Sequence, residues 1–191
     1  LPARNKDDAN ALVDKIIGYT DPATLGKWRI AATVVADNND DAGPHMAVAE
    51  NMAETITKKT FNLYNMNKVY LDAIPTISTP AGPRCPNANA AINNDIYKGV
   101  FAMNYNGHGN TQIWAGERIL TQDDYNTWHN EHMLPFMITA TCDFGQFDHP
   151  QYVSAAEQLV LRKGGGVIAM LTTTQAVFST YNETLNDQYL S

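Results

Sequence analysis

The sequence predicts an α/β protein built on a mostly parallel, doubly wound sheet covered by helices on both faces. Three observations carry that expectation. Short apolar runs alternate with longer stretches whose apolar residues recur every three to four positions, the alternation of strands and amphipathic helices. The short runs are apolar almost throughout, as strands buried on both faces are. The 191 residues suffice for one domain with a sizeable core and are too few for two large ones, so residues 1–191 are taken as a single α/β unit.

Taken in order, Asp8 to Tyr19 places Ala9, Leu12, Val13, Ile16 and Ile17 on one helical face. Trp28 to Ala36 turns β-branched toward its end and reads as a buried strand. Pro44 suits the opening of a helix that carries Met46, Ala49, Met52, Ala53 and Ile56 inward. Val69-Tyr70-Leu71 is a short strand. Pro75 through Pro86 holds four prolines and Gly82 and reads as an extended surface loop. Asn87 to Tyr97 is helical. Gly99 to Tyr105 is a strand that runs into Gly107-His108-Gly109, and Phe136 to Thr141 is a strand that ends at Cys142. Helix Ala155 to Arg162 leads through Gly164-Gly165-Gly166 into the strand Val167 to Leu171.

Composition removes several function classes. The formal charge is −7 and the 13 Lys and Arg are dispersed, which excludes the basic patch that nucleic-acid binding requires. No apolar run approaches the roughly 20 residues of a transmembrane helix. The amino terminus, Leu1-Pro2-Ala3-Arg4-Asn5-Lys6-Asp7-Asp8, has no Met and no apolar signal core, as a mature or excised fragment would begin. Two cysteines, Cys85 and Cys142, allow one disulfide at most and no cysteine-rich zinc site. The Gly164-Gly165-Gly166 run precedes a strand, whereas a phosphate-binding loop follows one, so a nucleotide site is rejected on order.

In doubly wound sheets ligands bind beyond the carboxyl ends of the strands, where His108 and Cys142 both fall. A cysteine nucleophile needs a base or a depressed pKa, and His108 supplies a base. Gly107 and Gly109 permit close backbone approach, and the amides of Gly109 and Cys142 are candidates for an oxyanion hole. The plainer readings are a small buried hydrophobe for Cys142 and an ordinary tight turn for Gly-His-Gly.

Other segments carry weaker chemistry. Asp37, Asn39 and Asp41 alternate oxygen ligands as a calcium loop does, but Ala42 and Val48 stand where an EF-hand needs Gly and Glu. The same acidic segment follows a strand end and suits either a cleft border or an orienting group for His108; the plainer reading is a solvated loop. His45 and Glu50 read as surface residues near the cleft, and His129 and His132 as a surface turn without a third metal ligand. Cys85 reads as an exposed free thiol, and Asp143 and Gln146 carry no assigned chemistry.

Asn104-Tyr105-Asn106-Gly107-His108-Gly109 and Thr139-Ala140-Thr141-Cys142-Asp143-Phe144 resemble the catalytic His and Cys segments of the gingipain family of clan CD cysteine peptidases, relatives of the caspases. Glu117-Arg118-Ile119-Leu120, Leu134 to Cys142, Phe147-Asp148-His149-Pro150, Ser154-Ala155-Ala156-Glu157 and Gly165 to Thr174 are similar to the PorU branch, the cell-surface sortases or signal peptidases of type IX secretion in Bacteroidetes. The likeness is densest from Asn104 to Asn186. It implies a caspase-like three-layer sandwich of which this chain is the second subdomain, a preceding subdomain having been cut away after a strand exit at Leu1-Pro2-Ala3-Arg4.

It further implies His108 and Cys142 as a catalytic dyad, a thioester intermediate, and removal of C-terminal sorting domains from cargo with transfer to a lipopolysaccharide anchor. The implied partners are a protein or peptide substrate and other secretion components, at the outer membrane or outside the cell. The chemistry requires no cofactor, and a structural calcium is the one ion left open. The competing function is a catalytically silent docking module of a secretion complex, and the isolated fragment is expected to be weakly active or inactive.

Overall fold

The computed structural model describes residues 2–178, 181, 182 and 184. Its elements in chain order are α1 (Lys6–Thr20), β1 (Ala31–Ala36), α2 (His45–Lys59), β2 (Asn65–Tyr70), β3 (Ile77–Thr79), β4 (Gly82–Arg84), α3 (Pro86–Lys98), β5 (Ala102–Asn106), α4 (Gln122–Tyr125), β6 (Phe136–Ala140), α5 (Ala155–Leu161) and β7 (Ala169–Thr172). Leu1 and, within the stretch from Asn104 to Asn186, Ser179, Thr180, Glu183, Leu185 and Asn186 lie outside the described residues.

Five strands form one parallel sheet in the order β2-β1-β5-β6-β7. From β1 the chain moves outward to β2, then returns past β1 to build β5, β6 and β7 on its other side. The gap between β1 and β5 is therefore the switch point, where the connections leave in opposite directions. Because side chains alternate along a strand, neighbouring residues of β1 serve different layers. Val34 packs with Met52 and Ala53 of α2. Val35 joins the larger cluster with Ala88, Ile92 and Ile96 of α3. Helices on both faces make the three layers the sequence implies.

The helix starts follow local chemistry. Asn5 caps α1 by accepting the Asp8 amide at 2.9 Å. Pro86 opens α3, where its missing amide hydrogen costs nothing. Ser154 and Glu157 form a reciprocal capping box on α5. The short α4, absent from the sequence reading, rests on the same device between Thr121 and Asp124.

Four sequence expectations need correction. β2 begins at Asn65, ahead of the expected Val69, because an edge strand leaves polar residues such as Asn65 and Lys68 in solvent while still pairing with β1. The proline-rich segment is not all loop: Ile77–Thr79 and Gly82–Arg84 pair antiparallel around a Pro80-Ala81 turn, with Gly82 at φ +97°. Cys85 is buried in the large core cluster, its Sγ 3.7 Å from the Pro75 carbonyl oxygen, so it is not an exposed thiol. The apolar face of α1 does not point inward as a whole. Leu12 is buried, while Val13, Ile16 and Ile17 are exposed, Ile17 at 64%.

A polar contact accompanies that orientation of α1. The Lys15 ammonium donates to the carbonyls of Val160 at 2.8 Å and of Leu159 and Val167 at 3.3 Å, at the end of α5 and the approach to β7. Burial, then the neighbouring Arg162, pushes Lys15 down to about 7. The three carbonyl oxygens favour the charged form and act in the opposite sense.

At the carboxyl rim the sheet continues past its formal ends. The Asp37 amide donates to the Asn106 carbonyl at 2.9 Å and the Gly107 amide to the Ala140 carbonyl at 3.2 Å. The buried Asp37 carboxylate accepts the His108 amide at 2.9 Å through Oδ2 and the Asn38 amide at 2.8 Å through Oδ1. Tyr105 donates its hydroxyl to the His108 carbonyl at 2.6 Å, and its ring stacks on Trp114 with centroids 4.4 Å apart. Burial, then the Asp37 charge, holds the Tyr105 hydroxyl well above its ordinary pKa, so it remains a donor.

Gly107 makes this rim possible. Its φ is +154°, and a Cβ there would meet Asp37 Cβ at 2.3 Å and the Tyr105 hydroxyl at 2.7 Å. Gly107→Ala is expected to destabilise the chain by about 2–4 kcal/mol through strain and overpacking. A lower urea midpoint with an unchanged slope checks this; an unshifted midpoint refutes it.

Candidate active site

His108 follows β5 by two residues, and its half-exposed ring places Nε2 2.8 Å from Asp40 Oδ2. Asp40 is held by its own turn. Its Oδ1 accepts the Ala42 amide at 2.8 Å, and its backbone pairs with Gly43 in both directions. The Ala42 amide first, with the His108 ring, holds the Asp40 carboxyl below its ordinary range against the opposing effect of burial. It is therefore a carboxylate at neutral pH.

His45, the first residue of α2, sits edge-on to His108 with ring centroids 5.4 Å apart and planes at 85°. Its Nε2 lies 3.7 Å from Asp40 Oδ1. His45 is buried, which corrects the sequence reading of a surface residue: the turn from Asp37 to Pro44 folds α2 back over the end of the sheet.

Cys142 follows β6 by two residues and is partly exposed. The segment after β7 braces its loop. The Thr173 hydroxyl donates to the Thr141 carbonyl, and the Gly145 amide to the Thr173 carbonyl at 2.9 Å. Asp143 turns the chain at φ +56°, and Cys142 Sγ is 3.7 Å from the Val177 carbonyl oxygen. His108 and Cys142 line one small cleft of about 70 Å³, together with His45, Gly107, Thr141 and Val177. A roomier groove of about 460 Å³ runs between α1 and the Lys163–Gly165 turn, at the amino ends of the strands. Strand polarity, not volume, points to the smaller one.

Gly109 faces Trp114 in an antiparallel bridge whose hydrogen bonds run between the flanking residues, from Ala115 to His108 and from Asn110 to Ile113. In such a non-hydrogen-bonded pair the residue's own amide points away from its partner. The Gly109 N–H is thus not consumed by this hairpin. A Cβ on Gly109 would meet Thr141 Oγ1 at 2.5 Å, so only glycine brings this strand against the Cys142 loop.

The other sequence candidates disperse. Asp37 spends its oxygens on internal donors, and Asn39 Oδ1 accepts the Met46 amide at 3.0 Å, which commits two of the three suggested calcium ligands; Asp41 is exposed. Glu50 pairs with Lys68 at 2.6 Å and Tyr70 at 2.8 Å, on the β2 edge. His129 and His132 are exposed, and among the described residues the one cluster of His, Cys, Asp or Glu with convergent ligand atoms is Asp40, His45 and His108. Gln146 donates its amide to the Asp143 carbonyl and closes the turn after Cys142.

Sequence reasoning put an orienting acid within the Asp37 to Asp41 segment without singling out Asp40. The available signal was Asp40-Asp41-Ala42-Gly43, a turn that fixes its first carboxylate against its own backbone.

A three-layer α/β sandwich with a cysteine and a histidine at neighbouring strand ends defines a cysteine-peptidase-like protein. The match to the family model of Peptidase family C25 runs over residues 1–191, and the chain belongs to that family. Its fold resembles the crystal structure of the Arg-specific cysteine proteinase gingipain R (RgpB), with a TM-score of 0.80 and 20% identity over 98% of this chain and 42% of that one. The complex of the Porphyromonas gingivalis RgpB pro- and mature domains gives a TM-score of 0.75 at 19% identity, covering 99% of this chain and 44% of that one. A third solved structure, described as a protease, gives 0.70 at 18% identity, covering 95% and 37%. The chain spans less than half the length of each. No curated protein matches it by sequence.

The two thiols differ in access. Iodoacetamide is expected to label Cys142 in the folded chain and to reach Cys85 only after denaturation. Peptide mass spectrometry reads the two sites, and equal labelling of both in native buffer would contradict the assignment.

Proposed function

We propose that the protein of which this chain is part is a cysteine endopeptidase in which Cys142 is the nucleophile, His108 its general base and Asp40 the group that orients the imidazole. The observation that carries this reading is the 2.8 Å contact of His108 Nε2 with Asp40, in a ring that lines the same cleft as Cys142. With Nε2 held by the carboxylate, Nδ1 is the nitrogen left for the thiol proton.

The Cys142 thiolate attacks the substrate carbonyl, and the amides of Gly109 and Cys142 stabilise the oxyanion. Protonated His108 then gives its proton to the leaving amine, and a thioester remains on Cys142. Water completes hydrolysis, while an amine acceptor completes transpeptidation. No step calls on a cofactor.

The more specific proposal is a PorU-like sortase that removes C-terminal sorting domains from type IX secretion cargo and passes the cargo to a lipopolysaccharide anchor. Its support is membership in family C25 together with the branch-like segments around Leu134 to Cys142 and Gly165 to Thr174. That role places the protein at the outer membrane or cell surface, working on a protein substrate beside other secretion components. No helix among the described residues is long and apolar enough to cross a membrane.

In the full-length protein, Cys142→Ala is expected to abolish cargo processing, followed as accumulation of uncleaved cargo on immunoblots. Undiminished processing would leave the silent docking module as the better reading. Asp40→Asn is expected to lower kcat about 10- to 100-fold with little change in KM, because it misorients the base without touching substrate binding. A change confined to KM would remove Asp40 from this role.

A further inference from the structure

We propose that Asp40, His45 and His108 form a binding site for one transition-metal dication of the zinc class, built on the same imidazole that serves as base. The binding itself is independent of the peptidase reading; only its effect on activity rests on that reading. Each of the three residues offers one ligand atom, and these atoms lie within 4.8 Å of one another. The Asp40 carboxylate faces both rings, with Oδ2 2.8 Å from His108 Nε2 and Oδ1 3.7 Å from His45 Nε2.

The decisive atom is His45 Nε2. It is buried and has no hydrogen-bond partner among the described residues, although His45 is only 5% exposed. Buried polar atoms in folded proteins are almost always partnered, so one aimed at a carboxylate and a second imidazole asks for a ligand between them. Two imidazole nitrogens and one carboxylate oxygen suit zinc and its neighbours rather than calcium or magnesium, which take oxygen ligands. Tetrahedral zinc sets its ligand atoms about 3.4 Å apart. To reach that spacing the 2.8 Å pair opens and the wider ones close, by about an ångström, and the half-exposed Asp40 and His108 side chains lie at the surface where such a shift is small. Asp40 and His108 open to solvent and give the ion its entry, while His45 forms the floor.

An ion seated here takes the Nε2 lone pair of His108 in the tautomer whose proton sits on Nδ1, so Nδ1 can no longer accept the thiol proton, and the Nε2 contact with Asp40 is displaced. Metal occupancy and proton transfer through that ring exclude one another, so the site acts as a reversible block that a chelator lifts.

The test is calorimetric titration of the metal-free full chain with zinc chloride, with cobalt(II) absorption as a second probe. The expected result is one equivalent bound, with the visible bands of tetrahedral cobalt. His45→Phe should weaken binding about 100-fold, and Cys142→Ser should leave it within a few-fold. Absence of saturable binding, wild-type affinity in His45→Phe, or loss of binding in Cys142→Ser would each overturn the proposal, the last by showing a thiolate site instead. If His45→Phe fails to fold by circular dichroism, long-range proton–nitrogen spectra of the wild type decide. Zinc must then move the ε-nitrogen signals of two histidines, and unmoved signals reject the site. Zinc that binds in this pattern to a protein with no cleavage activity supports the metal site and counts against the peptidase reading.

Discussion

The rim of this molecule depends on one buried carboxylate. Asp37 closes β1 and accepts the His108 amide, so the loop leaving β5 is fastened to the neighbouring strand before it can wander. An unpartnered carboxylate at that depth would be costly, and removing the His108 amide would expose that cost. The backbone around His108 is held from the other side by the Tyr105 hydroxyl, and Tyr105 is in turn fixed by its stack on Trp114. Core packing and rim geometry are thus continuous: the aromatic layer beneath the sheet end determines where the Gly-His-Gly turn passes.

Two acids three positions apart divide the work in this region. Asp37 is buried and fixes the His108 backbone; Asp40 is exposed and meets the His108 ring. The difference follows from position. Asp37 extends the strand and points into the crevice at the switch point, whereas Asp40 opens a turn beyond the sheet edge, where its carboxylate meets the His108 ring and the first residue of α2. The burial of His45 under that turn makes the cluster a compact unit with two imidazoles, one buried and one accessible.

Much of the fold was legible in the sequence because it rests on patterns that are local. The β-branched run of β1, the apolar run of β6 and the inward positions of α2 each announce their element without reference to the rest of the chain. What was not legible depends on long-range partners. β2 is extended by pairing with β1 despite its polar residues; Cys85 is buried because α3 and the hairpin close over it; the contact of Lys15 with the carbonyls at the end of α5 joins residues 145 positions apart. The same holds at the site. Position after strand ends made His108 and Cys142 visible, but Asp40 and His45 gain meaning only from the fold of the Asp37 to Pro44 segment, which no periodicity describes.

The separation of Asp37 from Asp40 bears on how such a domain changes over descent. The groups that keep the rim in shape, Asp37 and Tyr105, are distinct from the His108 and Cys142 side chains that line the cleft and from Asp40, which meets the His108 ring. A lineage that replaces a cleft-facing side chain keeps the backbone bonds of its scaffold, since the His108 contact to Asp37 is made by the amide and survives any side chain but proline. Under the proposed function, chemistry is shed by a single substitution while the surface persists for inheritance, and a duplicate gene has a short route from enzyme to scaffold.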